Sequence, residues 1–417
     1  MKPDAPRLLV YASLFPSQAQ PGAGLFVRER MFRVGRKLPI VVVSPKPWFP
    51  GQSFIRRWRP GYRPMPARCE IQQGVEVHYP RFFAPPGVLR RWDGFFMALG
   101  SFMTVWRLRR REGINLIDAH FAYPDGYAAG LLGRWLDLPV TLTLRGTELA
   151  HSRNPRLRPH LVKALRAARR VFAVADSLRQ LALRLGAVPG KTRVVGNGVD
   201  IDKFQPRDRR EARLRLGLPT DAKVLISVGA LVERKGFHRV LEALPRLMAR
   251  HPELHYLIVG GASPEGNCDA ELRAQAAALG LAKRVHFLGA LAPEELAWPL
   301  AAADVFVLAT RNEGWANVFL EAMACGLPVV TTAVGGNAEV VCRPELGTIV
   351  PFGDADALAR ALDRALEKTW ERAAIRAYAA ANTWERRVET LVAEFLAVRR
   401  EAEAAATLPV GRRRAAP

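Results

Sequence analysis

Two carboxylates, Glu313 and Glu321, stand eight residues apart in the stretch RNEGWANVFLEAMACG and enclose Gly314, Trp315, Ala316, Asn317 and Val318. Such a pair could be a catalytic acid and base, two ligands of a metal, or two ends of a clamp on a bound molecule. The apolar run DVFVLA ends at Ala309, so RNEGWAN reads as a loop. VFLEAMACG reads as a helix that Gly326 and the Leu-Pro after it terminate. Glu313 is then a loop residue, Glu321 lies one turn into the helix, and the amides of Trp315 to Val318 point out of its N-terminus. Carboxylates accept hydrogen bonds from sugar hydroxyls, while the amides and the helix dipole favour phosphate. A metal would need further ligands. No H-E-x-x-H occurs, and Asp200-Ile-Asp202 and Asp354-Ala-Asp356 fall in a linker and a helix cap.

A second constellation is VGALVERKGFHRV, in which Arg234 and Lys235 follow the strand that ends at Gly229 and precede Gly236. Ligands of doubly wound sheets gather outside the carboxyl ends of strands, where two cations can neutralise a diphosphate. A solvated surface pair is the plain alternative, and the strand-end position favours the ligand. Near the N-terminus, FPSQAQPGAGLFVRER places Gly22 and Gly24 before a helix. They suit either a phosphate approaching backbone amides or a structural turn, because the G-x-G-x-x-G pattern is not met. His120, Arg145 and Glu148 are equally readable as a strand-end histidine, an ion-pair partner and a helix-start charge. Asn197 organises a turn between domains.

The elements that must carry these residues form two series. RLLVYA, IVVVS, LIDAHF, VTLTL, VFAVA and TRVVG are strand candidates of the first half; VLISVG, HYLIVG, RVHFLG, DVFVLA and PVVTT are those of the second. Continuous apolar runs alternating with helical segments predict parallel sheets covered on both faces, hence an α/β protein with two doubly wound domains. The polar stretch around Pro206 places the boundary there, giving domains 1–205 and 206–383. A helix is expected over 384–400 and a disordered tail over 401–417.

The net charge of +23 is unevenly spread, since residues 1–205 hold 34 Lys+Arg against 13 Asp+Glu. That half therefore expects an anionic partner. Its segments WFPGQSFIRRWRPGYR and RFFAPPGVLRRWDGFFMALGSFMTVWRLRRR interleave aromatics with arginines. Part of this is a helix packed on the sheet, and the rest suits an anionic bilayer surface. Four scattered cysteines suggest neither a disulfide framework nor a zinc site. No export signal or spanning run is evident, so the chain is expected in the cytoplasm, peripheral on the inner face of the membrane. With no nucleic-acid module in the sequence, nucleic acid is not an expected partner.

Taken in order, Asn197-Gly-Val-Asp200, G-x-L-x-x-R-K-G at Gly229 to Gly236 and Glu-x7-Glu at Glu313 and Glu321 resemble the retaining GT-B glycosyltransferases of family 4 over nearly the whole chain. LFPSQAQPGAGLFVRER, DAHFAYPDGYAA and LTLRGTEL are similar to its teichuronic-acid-type subgroup. The resemblance implies two Rossmann-like domains facing across a cleft, with the last helix crossing back to the first. It implies that Arg234 and Lys235 bind the donor diphosphate, Glu313 and the amides of Gly314 to Val318 the sugar and phosphate, and Glu321 the ribose. Gly24 would approach the transferring phosphate, His120 would lie beside the sugar, and Arg145 with Glu148 would border the acceptor. The implied partners are a nucleotide-diphosphate sugar and a glycan or lipid-linked glycan acceptor, with no metal or other cofactor. Trp315 stands where many relatives carry Phe. A GT-B sugar-nucleotide epimerase and a noncatalytic glycan-binding or membrane-binding scaffold are the alternatives.

Overall fold

The computed structural model describes residues 5–407 apart from 60 and 264. It divides into two compact units, one built from the chain up to Asn197 together with that from Glu385 onward, the other from Gly198–Trp384. In the first unit the strands are β1 (Leu8–Tyr11), β2 (Ile40–Val43), β3 (Lys46–Trp48), β4 (Cys69–Gln72) and β5 (Val75–His78). They continue as β6 (Arg81–Phe83), β7 (Leu116–His120), β8 (Val140–Leu144), β9 (Arg170–Ala173) and β10 (Thr192–Val194). Eight of them make one sheet in the order β10-β9-β8-β7-β1-β2-β5-β4, and β3 pairs with β6 apart from it. The central strands are the continuous apolar runs of the sequence, buried throughout because helices cover both faces.

The last helix, Trp384–Thr407, lays Val388, Leu391, Phe395 and Val398 into the core that includes Val10, Val42 and Phe172. The Phe172 and Phe395 rings meet edge to face with centroids 6.0 Å apart. The tail expected to be disordered from 401 is helical to Thr407. Arg170 explains this, holding Glu394 at 3.0 Å and Glu401 at 3.1 Å. Residues 408–417 lie outside the described residues.

The second unit holds β11 (Lys223–Val228), β12 (Leu254–Val259), β13 (Val285–Gly289), β14 (Val305–Leu308), β15 (Val329–Thr332) and β16 (Gly347–Val350). All are parallel, in the order β13-β12-β11-β14-β15-β16. Chain direction across each sheet reverses once, between β1 and β7 in the first unit and between β11 and β14 in the second. Loops leaving the strands at such a switch point diverge and leave room for a ligand.

Residues 198–205, expected in the first domain, sit with the second. Val199 bonds to the Asn382 carbonyl at 3.1 Å and Phe204 enters the second unit's core. Gly198 packs so closely on Thr383 and Trp384 that an added Cβ would lie 2.3 Å from the Trp384 nitrogen. The polar stretch after Pro206 is no linker but contains the helix Arg209–Arg215, capped by Asp208, which accepts from the Glu211 amide at 2.7 Å. Arg213 anchors it, buried and donating to the Ala302 and Thr220 carbonyls and to Asp304.

Candidate functional site

At the second unit's switch point the loops after β11 and β14 bring Arg234, Lys235 and Glu313 together. Lys235 Nζ lies 2.5 Å from Glu313 Oε1, and Arg234 Nη1 lies 3.4 Å from the same oxygen. Thr310 Oγ1 lies 3.0 Å from the Arg234 carbonyl oxygen and 3.3 Å from that carboxylate oxygen, so its one proton is shared between the two loops. Arg234 also grips Glu265, at 2.5 Å from Nε and 2.8 Å from Nη2. These bonds, with Glu265 first, raise the Arg234 pKa, and the same contact lowers that of Glu265. The side chain of Glu313 is only 9% exposed, whereas that of Glu265 is 54% exposed. The cluster thus has one enclosed carboxylate and one in solvent.

Glycines set the closeness of these loops. Gly236 has φ +78°, and an added Cβ would sit 2.0 Å from the Ala309 carbonyl oxygen at the end of β14. Gly335, with φ +51°, backs onto Glu313, whose carbonyl oxygen would lie 1.6 Å from its Cβ. Any side chain at either position would drive the loops apart. Gly229 is less constrained, because its Cβ would only touch the Lys235 methylenes at 3.6 to 3.9 Å. The strict glycine there is Gly260, whose Cβ would fall 1.8 Å from the Gly229 carbonyl oxygen. Sequence reasoning named Gly229 and Gly236 as the ends of one motif and missed Gly260 and Gly335 as constraints on the site, since these approaches are long-range. The G-G pair at Gly335 and Gly336 was the available signal.

Beyond Gly314 the helix Asn317–Ala324 begins after Ala316, so its first amides lack intrahelical acceptors. Glu321 lies on this helix, half-buried. Trp315 packs against the core with its indole nitrogen enclosed and lacking a hydrogen-bond partner among the described residues.

The first unit's switch point is built differently. His120 ends β7 with no exposed surface, its Nδ1 accepting from Arg145 Nε at 3.2 Å and Nη2 at 3.0 Å. Its Nε2 lies 3.3 Å from Asp118. Burial, then the Arg145 charge, pulls the His120 pKa down to about 4, so the ring is neutral at pH 7. Arg145 also reaches Asn197 at 3.3 Å and stacks on Phe26, 5.0 Å from the ring centroid.

Glu148 is 2% exposed, and its oxygens accept from the amides of Ala122, Arg145 and Gly146 at 3.0, 3.1 and 2.7 Å. The expected acceptor contact by Glu148 is therefore revised: it braces the loops after β7 and β8. Gly24, at φ +71°, opens the helix Leu25–Gly35, and a Cβ there would meet the Leu14 carbonyl oxygen at 2.3 Å. Asp125, missed in the sequence, clamps that loop by accepting from the Ser13 amide and from Ser13 Oγ at 3.0 Å. Burial raises its pKa to about 7.

The comparisons with known proteins agree with this layout. Residues 31–203 match Glycosyltransferase Family 4, and residues 208–382 match Glycosyl transferases group 1. A putative teichuronic acid biosynthesis glycosyltransferase, TuaC of Bacillus subtilis, is 30% identical over 86% of this chain and 88% of its own length. A D-inositol 3-phosphate glycosyltransferase of Geodermatophilus obscurus is 40% identical, but over 57% of this chain and only 54% of its own length. Among solved structures, the sucrose-phosphate synthase of Thermosynechococcus elongatus aligns over 96% of this chain and 100% of its own, with a TM-score of 0.73 at 23% identity. HepE of Anabaena, solved with UDP, aligns over 94% and 99% with a TM-score of 0.70 at 21% identity. With both halves matched in sequence order and a relative similar over most of its length, the chain belongs to glycosyltransferase family 4 and has the GT-B fold.

Proposed function

We propose that the protein transfers a hexose-type sugar from a nucleotide-diphosphate donor to a growing, lipid-linked polysaccharide intermediate, with retention at the anomeric carbon. The observation that carries this reading is the meeting of Arg234, Lys235 and Glu313 at the second unit's switch point. Donor phosphate oxygens take over the N–H donors that Glu265 and Glu313 otherwise hold, and Glu313 turns to the sugar hydroxyls. The amides of Gly314 to Val318 hold sugar and phosphate, and Glu321 holds the ribose. The bond from the anomeric carbon to the diphosphate breaks, the electron pair leaving with the nucleotide. The acceptor oxygen bonds on the same face, and its proton passes to the departing diphosphate. The protein contributes position and charge stabilisation. Gly24 keeps its own loop tight against Leu14. His120, neutral and enclosed, acts by orienting Arg145 toward the acceptor.

Arg234 and Lys235 supply the positive charge at the leaving group, so EDTA leaves turnover intact. A loss of activity restored by a divalent ion overturns that point. Because HepE was solved with UDP, uridine diphosphate sugars head the donor panel. Calorimetric titration of donors followed by analysis of products with glycan, lipid-linked and inositol phosphate acceptors tests the reading. An isomerised free nucleotide sugar, with nothing transferred, replaces it with the epimerase.

The acceptor is reached from the inner face of the membrane. Phe54, Trp58, Trp92, Leu99 and Met103 are exposed on the first unit, as are Arg57, Arg90 and Arg91. Such a mixture suits the headgroup region of an anionic bilayer. Among the described residues no helix is long and apolar enough to cross a membrane. Flotation with anionic liposomes at low salt checks this, and absence of binding removes it.

A further inference from the structure

Within the first unit, the hairpin of β4 and β5 and the C-terminal half of the helix Asp93–Glu112 line an open cavity of about 820 Å³. None of the residues discussed for the sugar-transfer site lines it. Four guanidinium groups do, those of Arg68, Arg107, Arg110 and Arg111, with Trp106 and Tyr79 supplying apolar surface. Arg110 lies over the Trp106 ring, 4.3 Å from its centroid, which orients its planar fork. Arg111 is paired with Glu76 at 2.5 Å and Glu112 at 2.6 Å. Arg68, Arg107 and Arg110 have no carboxylate partner among the described residues.

A cation could be considered at the same rim. The antiparallel register sets Cys69 opposite His78, and the ligand atoms of Cys69, Glu76 and His78 lie within 4.8 Å of one another. Electrostatics decides between the two. Glu76 is already neutralised by Arg111, and three further guanidiniums would face a divalent ion with like charge. The same surplus attracts an oxyanion, whose phosphate oxygens match the arginine fork in pairs. The volume falls within the range of small-molecule sites, about 300–1,000 Å³.

We propose that this cavity is a second anion site, separate from the donor site, that binds a ligand carrying two or more phosphate charges and a sugar or apolar part set against Trp106. It stands independently of the donor assignment, whose residues lie in the other unit.

The test uses the full chain carrying Arg234→Ala and Lys235→Ala, so that the donor site is silent, and inorganic pyrophosphate as the probe in calorimetric titration. Pyrophosphate binds this protein at one site, and adding Arg107→Ala with Arg110→Ala weakens it by about tenfold or more. Arg107→Gln with Arg110→Gln does the same, with melting curves confirming the fold of each. Phosphatidylglycerol vesicles then distinguish the source of the phosphate. Competition with pyrophosphate identifies a lipid headgroup, and its absence a soluble phosphorylated compound. No binding in the donor-silent protein, or binding that the cavity substitutions leave unchanged, overturns the proposal.

Discussion

Each unit gathers charged side chains at the switch point of its sheet, yet the two clusters are constructed on opposite principles. In the second unit the partners are side chains, and while Lys235 and Glu313 are enclosed, the Arg234–Glu265 pair is open to solvent. An exposed ion pair is worth about 0–1 kcal/mol, so an incoming phosphate displaces such a partner cheaply. In the first unit the partners of Glu148 are backbone amides, and Asp118, His120 and Glu148 are buried. Removing a buried acceptor strands its donors at about 1–3 kcal/mol each. One cluster can trade partners without disturbing the fold, whereas the other keeps the fold in place.

The largest effect that separates them is on turnover. Arg234→Ala with Lys235→Ala is expected to lower kcat/KM by about 10³-fold or more, the scale for losing preorganised charge at a leaving group. The double change removes both charged partners of the enclosed Glu313, so melting curves accompany the rate measurement. A folded double variant with wild-type rates would break the comparison at its functional end. Glu148→Ala is the counterpart, expected to cost about 3 kcal/mol in chemical denaturation because three amides lose their acceptor. Unchanged stability would mean that these amides find other partners and that Glu148 is no brace.

Acid sharpens the contrast next. The unfolded chain protonates His120 near 6.5, while the folded one refuses the proton until about 4. The neutral histidine therefore contributes stability that is fully present above pH 6.5 and is lost as pH falls toward 4. By pH 5 the loss amounts to about 2 kcal/mol. Denaturation of wild type and His120→Asn at pH 7.5 and pH 5 measures it, the variant being the less acid-sensitive. Equal sensitivity would show that the ring titrates freely.

The two clusters were not equally legible in the sequence. Arg234, Lys235 and Glu313 could be read because each follows a continuous apolar strand, where a doubly wound sheet directs its loops. The brace role of Glu148 and the Asp125 clamp could not, because T-E-L and P-D-G read identically whether the carboxylate faces a ligand or a distant amide. The hairpin of β4 and β5 escaped because CEIQ and VEVH alternate polar and apolar residues, as strands at a sheet edge can, while the strand search relied on unbroken apolar runs. The polar stretch after Pro206 misled for a related reason. Its charges reflect an amphipathic helix whose inward arginine, Arg213, is buried and pairs with the half-buried Asp304.

The smallest expected effect probes the comparison most finely. Glu265 holds Arg234 with two hydrogen bonds, yet its carboxylate is half in water, so the pair adds little to the fold. Glu265→Ala should change stability by less than about 1 kcal/mol. Donor binding should move the other way. A guanidinium freed from a competing carboxylate need not surrender that partner when a diphosphate arrives, so affinity should rise by about twofold to fivefold, the equivalent of about 0.4–1 kcal/mol. Calorimetric titration of the preferred nucleotide sugar against wild type and Glu265→Ala measures the change. Weaker binding in the variant would mean that Glu265 positions Arg234 rather than competing for it, making the second cluster a brace like the first.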